Sequence, residues 1–232
     1  MVAAYLDLIG ETYLTDAKAL ANDNIVYGHL SETMGYINIV AMQEFSEDGD
    51  DIAALEIAMT TIVKELADVE TIVIDVRFNG GGDDANAVFI AGYFAEQKTL
   101  AFSKRAWDGR TFLEKHDIFI EPAAGTRFTQ DVYLLTSNYT TSAGEVFTLT
   151  MNVLPQVTTI GETTQGAFSD ILLVFLPNGW LVTLSNEEYA AHDGTVYEGL
   201  GIPPQIEQLM SADDLAEGRD AVIDRVLELE QN

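Results

Sequence analysis

Cysteine is absent from this sequence of 232 residues. The absence excludes disulfides, cysteine nucleophiles and thiolate metal ligands, while it leaves the compartment open. Histidine is also scarce, with three residues in the chain. We therefore expect no metal site and no bound cofactor.

Basic residues are few as well. The chain has 11 Lys and Arg against 38 Asp and Glu, for a net charge of -27, and its last lysine is Lys115. Such an excess of acid argues against non-specific binding to nucleic acid and against attraction to anionic membrane surfaces. A highly solvated acidic surface is the simplest interpretation.

Long apolar runs are missing too, since none approaches the length of a membrane span. The start, "MVAAYLDLIGETYL", carries acids and has no basic region ahead of an apolar one, so it is not an intact signal peptide. This start is compatible with a chain cut from a longer precursor.

Strand and helix patterns alternate along the chain. The β-branched run at 71–76 is typical of a buried parallel strand, and a second strand is predicted at 131–136. Apolar residues at helical spacing predict helices at 51–68 and 143–153. This alternation predicts an α/β domain with a largely parallel sheet.

Other segments give weaker or more local signals. Residues 101–130 are the least regular and are predicted to form an insertion or lid. A hairpin is predicted with its turn at Asn178-Gly179, and a capped amphipathic helix is predicted from Ser211 onward.

Two turns are candidates for a reactive site, and each follows a predicted parallel strand. One is "NGGG", Asn79–Gly82, whose backbone can approach a ligand closely; the other contains Ser142. Since ligand sites lie beyond the carboxyl ends of parallel strands, both turns are candidates for one edge of the sheet. A nucleotide site is disfavoured, because the glycines lack the spacing of a phosphate-binding loop.

Ser142 has two interpretations on this pattern. It could cap the helix that follows, with Glu145 three residues later as in a capping box. It could instead be a nucleophile beside a helix N-terminus, where free N–H groups suit an oxyanion. Taken alone, the pattern favours the cap.

Longer motifs resemble a known family. "IVIDVRFNGGG" resembles the strand-and-turn signature of the C-terminal processing (tail-specific) serine proteases, and "DVRFNGGG" is closest to the branch with the tricorn protease core. "LLTSNYTTSAGEVF" resembles the nucleophile segment of that family. "TTIGETTQG", "LPNGWLVTLS" and "DGTVYEGLGIPPQI" resemble its later blocks in the expected order, so the resemblance covers about residues 25–230.

The resemblance implies a fold and a chemistry. The fold would be a crotonase-like α/β core with a largely parallel sheet and flanking helices, and the protein would be a hydrolase acting on polypeptides. Ser142 would be the nucleophile. The amide of Ala143 and that of a glycine in the turn would form the oxyanion hole, with Gly81 the first candidate beside Gly80 and Gly82. The resemblance also favours a periplasmic or extracellular location and is compatible with a homo-oligomer, whereas Asp75 and Arg77 would be structural.

The general base departs from the family pattern. Many members use a lysine after the nucleophile, but Ala167 in "TTQGAFS" occupies that position. The tricorn-like branch uses a histidine and a glutamate, and Glu198 matches the glutamate. Its histidine comes from an upstream helical segment, which is not recognisable here, and neither is a PDZ-type domain.

Two expectations follow for the domains and the base. Residues 1–24 are predicted to be a remnant of, or connector to, a missing upstream region, and 25–232 to be the catalytic core. The histidines of the chain are His29, His116 and His192, and His192 has the best neighbourhood because it lies just before Glu198.

Two functions therefore compete. The first is a serine endopeptidase core that works through an acyl-enzyme at Ser142 and is incomplete without the upstream segment. The second is a catalytically degenerate module that binds a peptide or an apolar ligand. The repeats of interphotoreceptor retinoid-binding protein, which this chain also resembles, show that the fold can serve for carriage, and fold alone does not choose between them.

Overall fold

A computed structural model describes residues 2–230 of the chain. Six α-helices occur among these residues: α1 (Val2–Leu8), α2 (Asp51–Glu65), α3 (Asp84–Ala91), α4 (Ala143–Met151), α5 (Ala212–Ala216) and α6 (Ala221–Glu230). Twelve strands accompany them: β1 (Lys18–Leu20), β2 (Ile25–His29), β3 (Met34–Ile39), β4 (Thr71–Asp75), β5 (Thr99–Ala106), β6 (His116–Ile120), β7 (Asp131–Thr136), β8 (Val157–Gly161), β9 (Ile171–Phe175), β10 (Leu181–Ser185), β11 (Glu187–Ala191) and β12 (Ile206–Glu207).

The main sheet has seven strands in the order β1-β2-β3-β4-β7-β8-β12. From β3 to β12 all neighbours are parallel, while β1 and β2 add an antiparallel edge. The prediction of a largely parallel sheet is therefore confirmed. The strand β4 lies next to β7, with Asp75 paired to Leu135, so the turns that follow these two strands leave the same edge.

Helices cover both faces of this sheet. On one face Ile72 and Ile74 of β4 pack in the core that contains the buried sides of α2, α3 and α4. On the other face Val73 packs with Val222 and Val226 of α6 and with residues of the N-terminal segment. Because β4 is buried on both faces, it appears in the sequence as a continuous apolar run rather than an alternating one.

The region predicted to be irregular is largely regular. The strand β5 pairs with both β6 and β11 in a separate antiparallel sheet, so the prediction of irregular structure is wrong for 101–106 and 116–120. The insertion or lid stays a prediction. The strands β5 and β6 lack a clean apolar alternation. The pairing of β5 with β6 and with β11, which lies about 80 residues later in the chain, supplies the hydrogen bonds.

The tail contains two helices instead of one. Ser211 caps α5, since its hydroxyl accepts the N–H of Asp214 at 3.2 Å. The helix then stops near Gly218, which has a φ of +76°. Asp220 begins α6 by accepting the N–H of Val222 at 2.9 Å. Within residues 2–230 no helix combines the length and apolar content needed to cross a membrane.

The N-terminal segment is integrated in the fold. Tyr5 and Ile9 are buried in the core under α6, and β1 pairs with β2. The predicted domain division between residues 24 and 25 stays a prediction. The first predicted part nevertheless contributes Tyr5 and Ile9 to the core of the second, 25–232.

A buried ionic network joins the end of β4 to the start of α6. The guanidinium of Arg77 contacts Asp75 at 2.6 Å and Asp220 at 2.9 Å, and all three side chains are almost fully buried. Tyr5 and Tyr36 each donate their hydroxyl to Asp75 Oδ2 at 2.8 Å. Burial raises the pKa of Asp220, but Arg77 more than offsets this and holds the pKa below its usual value. The network fits the structural role expected for Asp75 and Arg77.

Removing Arg77 should be costly for stability. Arg77→Met would leave two buried carboxylates without their cation, and we expect the free energy of unfolding to fall by about 3–5 kcal/mol. Urea unfolding followed by circular dichroism measures the change. The matched control is Arg219→Met, which removes an exposed arginine paired to Asp214 and should change stability little. Equal effects of the two variants would contradict the structural role of the network.

Candidate active site

The two turns singled out in the sequence meet in the structure. The N–H of Thr141 donates to the carbonyl of Asn79 at 3.1 Å. A Cβ placed on Gly81 would lie 2.6 Å from Ser142 Cβ and 3.0 Å from Ser142 Oγ. Gly81 has a φ of +100°, so only glycine fits this contact without strain. The glycine turn and Ser142 thus form one site at the carboxyl edge of the sheet.

Ser142 occupies a strained position between β7 and α4. Its φ of +53° and ψ of -126° are rare for a residue with a side chain, and strain of this kind costs about 1–3 kcal/mol. Its side chain makes no capping hydrogen bond to α4, so the prediction that its hydroxyl caps this helix is wrong. The strained turn instead presents the half-buried hydroxyl toward the glycine turn.

Glu145 holds the loop that neighbours Ser142. Its buried carboxylate accepts the hydroxyl of Thr164 and the N–H of Gly166, both at 2.6 Å, and the N–H of Ala167 at 2.7 Å. Burial raises the pKa of Glu145, and these hydrogen bonds offset part of the increase. The clamped loop in turn accepts the N–H of Ser142 at the carbonyl of Ala167, at 3.1 Å.

Several backbone N–H groups near Ser142 are available to a ligand. The N–H of Ala143 belongs to the first residue of α4 and has no acceptor within residues 2–230. The N–H groups of Gly80 and Gly82 also lack an acceptor in this part of the chain. The N–H of Gly81 differs, since it donates to the side-chain oxygen of Asn79 at 2.9 Å. The site therefore combines a serine hydroxyl with free amides, as an oxyanion hole requires.

Glu198 is anchored beside the same loop. Its Oε2 accepts the N–H of Phe168 at 2.8 Å and that of Ser169 at 3.1 Å. These residues directly follow Ala167, whose carbonyl holds Ser142. Its other oxygen, Oε1, has no hydrogen-bond partner within the described part of the chain. Glu198 is thus held in one orientation with one oxygen left to accept a further donor.

Comparison with known proteins assigns the chain to a family. The model of Peptidase family S41 matches residues 33–208. The chain belongs to peptidase family S41. This membership confirms the serine-peptidase core expected from the motifs and the resemblance to the C-terminal processing proteases.

Proteins that are similar to this S41 chain include further proteases and peptidases. A protein of Sulfurisphaera tokodaii named as a tricorn-like protease C-terminal subunit is 28% identical over 168 residues, which cover 69% of this chain and 17% of that protein. A crystal structure of a protein of Parabacteroides merdae assigned as a peptidase has a TM-score of 0.84 at 25% identity, over 97% of this chain and 69% of that one. The photosystem II D1 C-terminal processing protease shares the fold, with a TM-score of 0.57 at 21% identity over 75% of this chain and 42% of that one.

These matches confirm the crotonase-like α/β fold and the S41 assignment. The chain spans about a sixth of the length of the curated relative that it matches. The resemblance to interphotoreceptor retinoid-binding protein stays a prediction.

Within residues 2–230 of this S41 chain, no lysine is hydrogen-bonded to Ser142. Ala167 contacts the Ser142 amide through its carbonyl, and its side chain is a methyl group. Lys104 is held by carboxylates, with Nζ 2.9 Å from Asp170 and 3.3 Å from Glu187. Burial lowers the pKa of Lys104, but these acids and Asp84 raise it above its usual value. Lys104 therefore remains protonated at neutral pH and cannot accept a proton.

Each of the three histidines either contacts another residue or is exposed. His29 Nδ1 contacts Asp16 at 3.0 Å. His116 is exposed on β6, and His192 is exposed in the turn that follows β11. Across residues 2–230, none of them forms a hydrogen bond with Ser142 or Glu198.

A cavity of about 1090 Å³ opens beside the glycine turn. Gly82 is part of its lining, and Phe89 and Phe102 form apolar walls. Ser142 is not among the lining residues. The cavity is large enough to receive part of a polypeptide next to the glycine turn.

Sequence reasoning gave no role to Asn79. Its side chain donates to the carbonyl of Ile39 at 2.9 Å and accepts from Gly81, while its backbone carbonyl holds Thr141. It therefore positions both halves of the site. An Asn two residues before a turn glycine is a recognised signal for a side chain that accepts a backbone N–H two residues later.

The contact between the two turns predicts a strong effect of a small substitution. In Gly81→Ala the new Cβ would overlap Ser142 Cβ at a φ that disfavours alanine, so we expect a loss of about 1–3 kcal/mol in stability and a displaced Ser142. Thermal unfolding measures the loss. Gly80→Ala is the control for stability, because its Cβ would meet nothing within 4 Å and its φ is not positive. Similar unfolding temperatures for the two variants would contradict the close contact.

Proposed function

We propose that this chain is the catalytic core of a serine endopeptidase that cleaves polypeptides through an acyl-enzyme at Ser142. The observation that carries the proposal is the contact between Gly81 and Ser142. It places a strained serine hydroxyl beside free backbone amides at a helix N-terminus. Membership of family S41 supports the same chemistry.

In the proposed reaction Ser142 Oγ attacks the carbonyl carbon of a peptide bond. The carbonyl oxygen becomes an oxyanion that accepts the N–H of Ala143 and one N–H of the glycine turn. Gly81 lies nearest Ser142 but already donates to Asn79, whereas Gly80 and Gly82 have no acceptor within residues 2–230. The amine leaves with the proton taken from Ser142, and water then hydrolyses the ester.

The base in this mechanism is proposed to be a histidine oriented by Glu198. The free Oε1 of Glu198 would accept the second ring N–H and stabilise the imidazolium. We propose that this histidine is delivered by an upstream segment of the full-length protein. His192 is the candidate within the chain, because it is exposed and close to Glu198 in sequence.

A second function is supported by the same contacts. Since no histidine or lysine of residues 2–230 is hydrogen-bonded to Ser142, the chain could hold a peptide or an apolar ligand without turnover. In that case the free amides would bind a carbonyl oxygen of the ligand and no acyl-enzyme would form.

Covalent trapping separates the two functions. We expect an aryl phosphonate to label Ser142 of the full-length protein, as located by peptide mass spectrometry. The isolated 232-residue chain should react about 10²–10⁴-fold more slowly if it lacks the base. Ser142→Ala should remove the label, and Ser31→Ala should keep it. Peptide binding without any labelling of the full-length protein would support the binding module and overturn the peptidase.

A further inference from the structure

The cavity beside the glycine turn has walls of two chemical kinds. Its volume is about 1090 Å³, and apolar side chains of α3, β5 and β6 form one part of its walls: Val88, Phe89, Phe102, Ile118 and Phe119. Six acids line the remainder: Glu44, Asp51, Asp83, Asp84, Glu121 and Asp170. An acidic cavity with aromatic walls suits a ligand that carries a positive charge on an apolar stem.

An ammonium group of the chain itself is already bound in this cavity. Lys104 Nζ lies 2.9 Å from Asp170, 3.5 Å from Asp84 and 5.1 Å from the centroid of the Tyr189 ring. The walls therefore accommodate an alkylammonium group. Burial raises the pKa of Asp84, and the contacts with Tyr189 and Lys104 offset only part of the increase. A second cation in the cavity would therefore stabilise the charged form of Asp84.

Three further acids of the cavity have no cation of their own. Within residues 2–230, Glu44, Asp51 and Asp83 form no ion pair. The carboxylate of Asp83 accepts the N–H of Ala85 at 2.8 Å, and that of Asp51 accepts the side-chain amide of Asn86 at 3.3 Å. These hydrogen bonds orient two of the carboxylates without neutralising them.

Short backbone links connect the three acids to the glycine turn. The N–H of Met42 donates to the carbonyl of Gly81 at 2.8 Å, and the N–H of Asp83 donates to the carbonyl of Met42 at 2.9 Å. The carbonyl of Glu44 is held by the side chain of Asn24 at 3.0 Å. A peptide whose scissile carbonyl is bound by the glycine turn would therefore place a neighbouring residue at this cavity.

We propose that the cavity binds a cationic group of the polypeptide substrate next to the cleaved bond, and that Glu44, Asp51 and Asp83 determine this preference. The inference rests on the proposed peptidase function and adds the class of substrate. The phenyl rings cover an aliphatic stem and attract the cation, while the carboxylates supply the opposite charge. The cation is an ammonium or guanidinium group, from a lysine or arginine side chain or from the substrate N-terminus.

The size and the salt dependence of the preference follow from these contacts. A single exposed ion pair contributes little, so the three carboxylates must act together on one cation. We expect a preference of about 10–100-fold over an uncharged group of the same shape, as for one hydrogen bond to a charged group. Salt screens the charges and leaves the apolar contacts, so the preference should decrease as sodium chloride is raised.

Paired phosphonate probes test the proposal on the full-length protein. N-acetylated diaryl phosphonates built on lysine and on norleucine share the same four-carbon stem, and only the lysine probe carries the ammonium group. The lysine probe should label Ser142 about 10–100-fold faster than the norleucine probe, and a glutamate probe should be the slowest. The triple variant Glu44→Gln, Asp51→Asn, Asp83→Asn should reduce the ratio of lysine to norleucine labelling at least about 5-fold.

A matched variant controls for the overall loss of acid. Glu32→Gln, Asp68→Asn and Glu96→Gln together remove three exposed carboxylates that do not line the cavity, and this variant should keep the wild-type ratio. Circular dichroism checks that both triple variants are folded. Probes with a free α-amino group separate the two sources of the cation. A norleucine probe that is accelerated by its free amine as strongly as by a lysine side chain would assign the cation to the substrate N-terminus.

The contrary results are distinct from a failure of the proposed peptidase. Equal labelling of wild type by the lysine and norleucine probes, with or without the acetyl group, would overturn the inference and leave the peptidase standing. A preference that survives unchanged in the cavity variant would also overturn it. If none of the probes labelled Ser142, the peptidase itself would be contradicted, and the inference would fall with it.

Discussion

Replacing Ser142 with alanine should lower the turnover number of the full-length protein by about 10⁴-fold or more. The loss is this large because the proposed acyl-enzyme forms on the Ser142 hydroxyl, and alanine has no atom that can form it. The measurement is kcat on an unfolded, fluorogenic polypeptide. Ser31→Ala, which changes a serine outside the site, is the matched control.

The strain at Ser142 supplies a second readout. Glycine adopts a φ of +53° without strain, so Ser142→Gly should be inactive yet more stable than wild type by about 1 kcal/mol. Thermal unfolding of both variants measures this. Turnover within tenfold of wild type in Ser142→Ala would show that the nucleophile lies elsewhere.

The second large effect is expected for Glu198. Glu198→Gln should lower kcat by about 10²–10⁴-fold, because an amide N–H₂ in place of Oε1 cannot accept a hydrogen bond from a histidine ring N–H or stabilise an imidazolium. Folding should survive, since the carbonyl oxygen of glutamine can still accept the N–H groups of Phe168 and Ser169.

The control for Glu198→Gln is a carboxylate outside the site. Glu207→Gln removes an exposed carboxylate at β12 and should leave turnover unchanged. Normal turnover in Glu198→Gln would return Glu198 to a purely structural role as an acceptor of two backbone amides. A loss of activity accompanied by unfolding would lead to the same conclusion.

The main sheet and the meeting of the two turns could be predicted from the sequence. The continuous β-branched run at 71–76 marks a strand buried on both faces, and such strands are parallel. Because parallel strands end at one edge, the sequence predicts that Gly81 and Ser142 lie on the same side of the sheet. The position of each motif directly after a parallel strand therefore predicts that the two turns meet.

Local signals failed where tertiary contacts decided the outcome. Glu145 has the spacing of a capping box, yet its carboxylate binds the loop at 164–167, which is distant in sequence. The strand β5 carries the adjacent charges of Lys104 and Arg105, and it forms because it pairs with β6 and with the distant β11. A single tail helix was expected, but Gly218 and the capping carboxylate of Asp220 divide it.

The identity of the base could not be obtained from the sequence for a physical reason. A histidine acts on Ser142 only if the fold brings its ring within hydrogen-bond distance, and sequence proximity to Glu198 does not supply that distance. His192 follows β11 in an exposed turn, where its ring makes no hydrogen bond to either catalytic candidate within residues 2–230.

A crystal structure of the full-length protein after reaction with an aryl phosphonate tests the central claim most directly. The account predicts a phosphorus–oxygen bond to Ser142 Oγ. It also predicts that a phosphoryl oxygen accepts the N–H of Ala143 and one N–H from Gly80, Gly81 or Gly82, each at about 2.7–3.1 Å. A phosphonate attached to another residue, or a phosphoryl oxygen directed away from both turns, would contradict it.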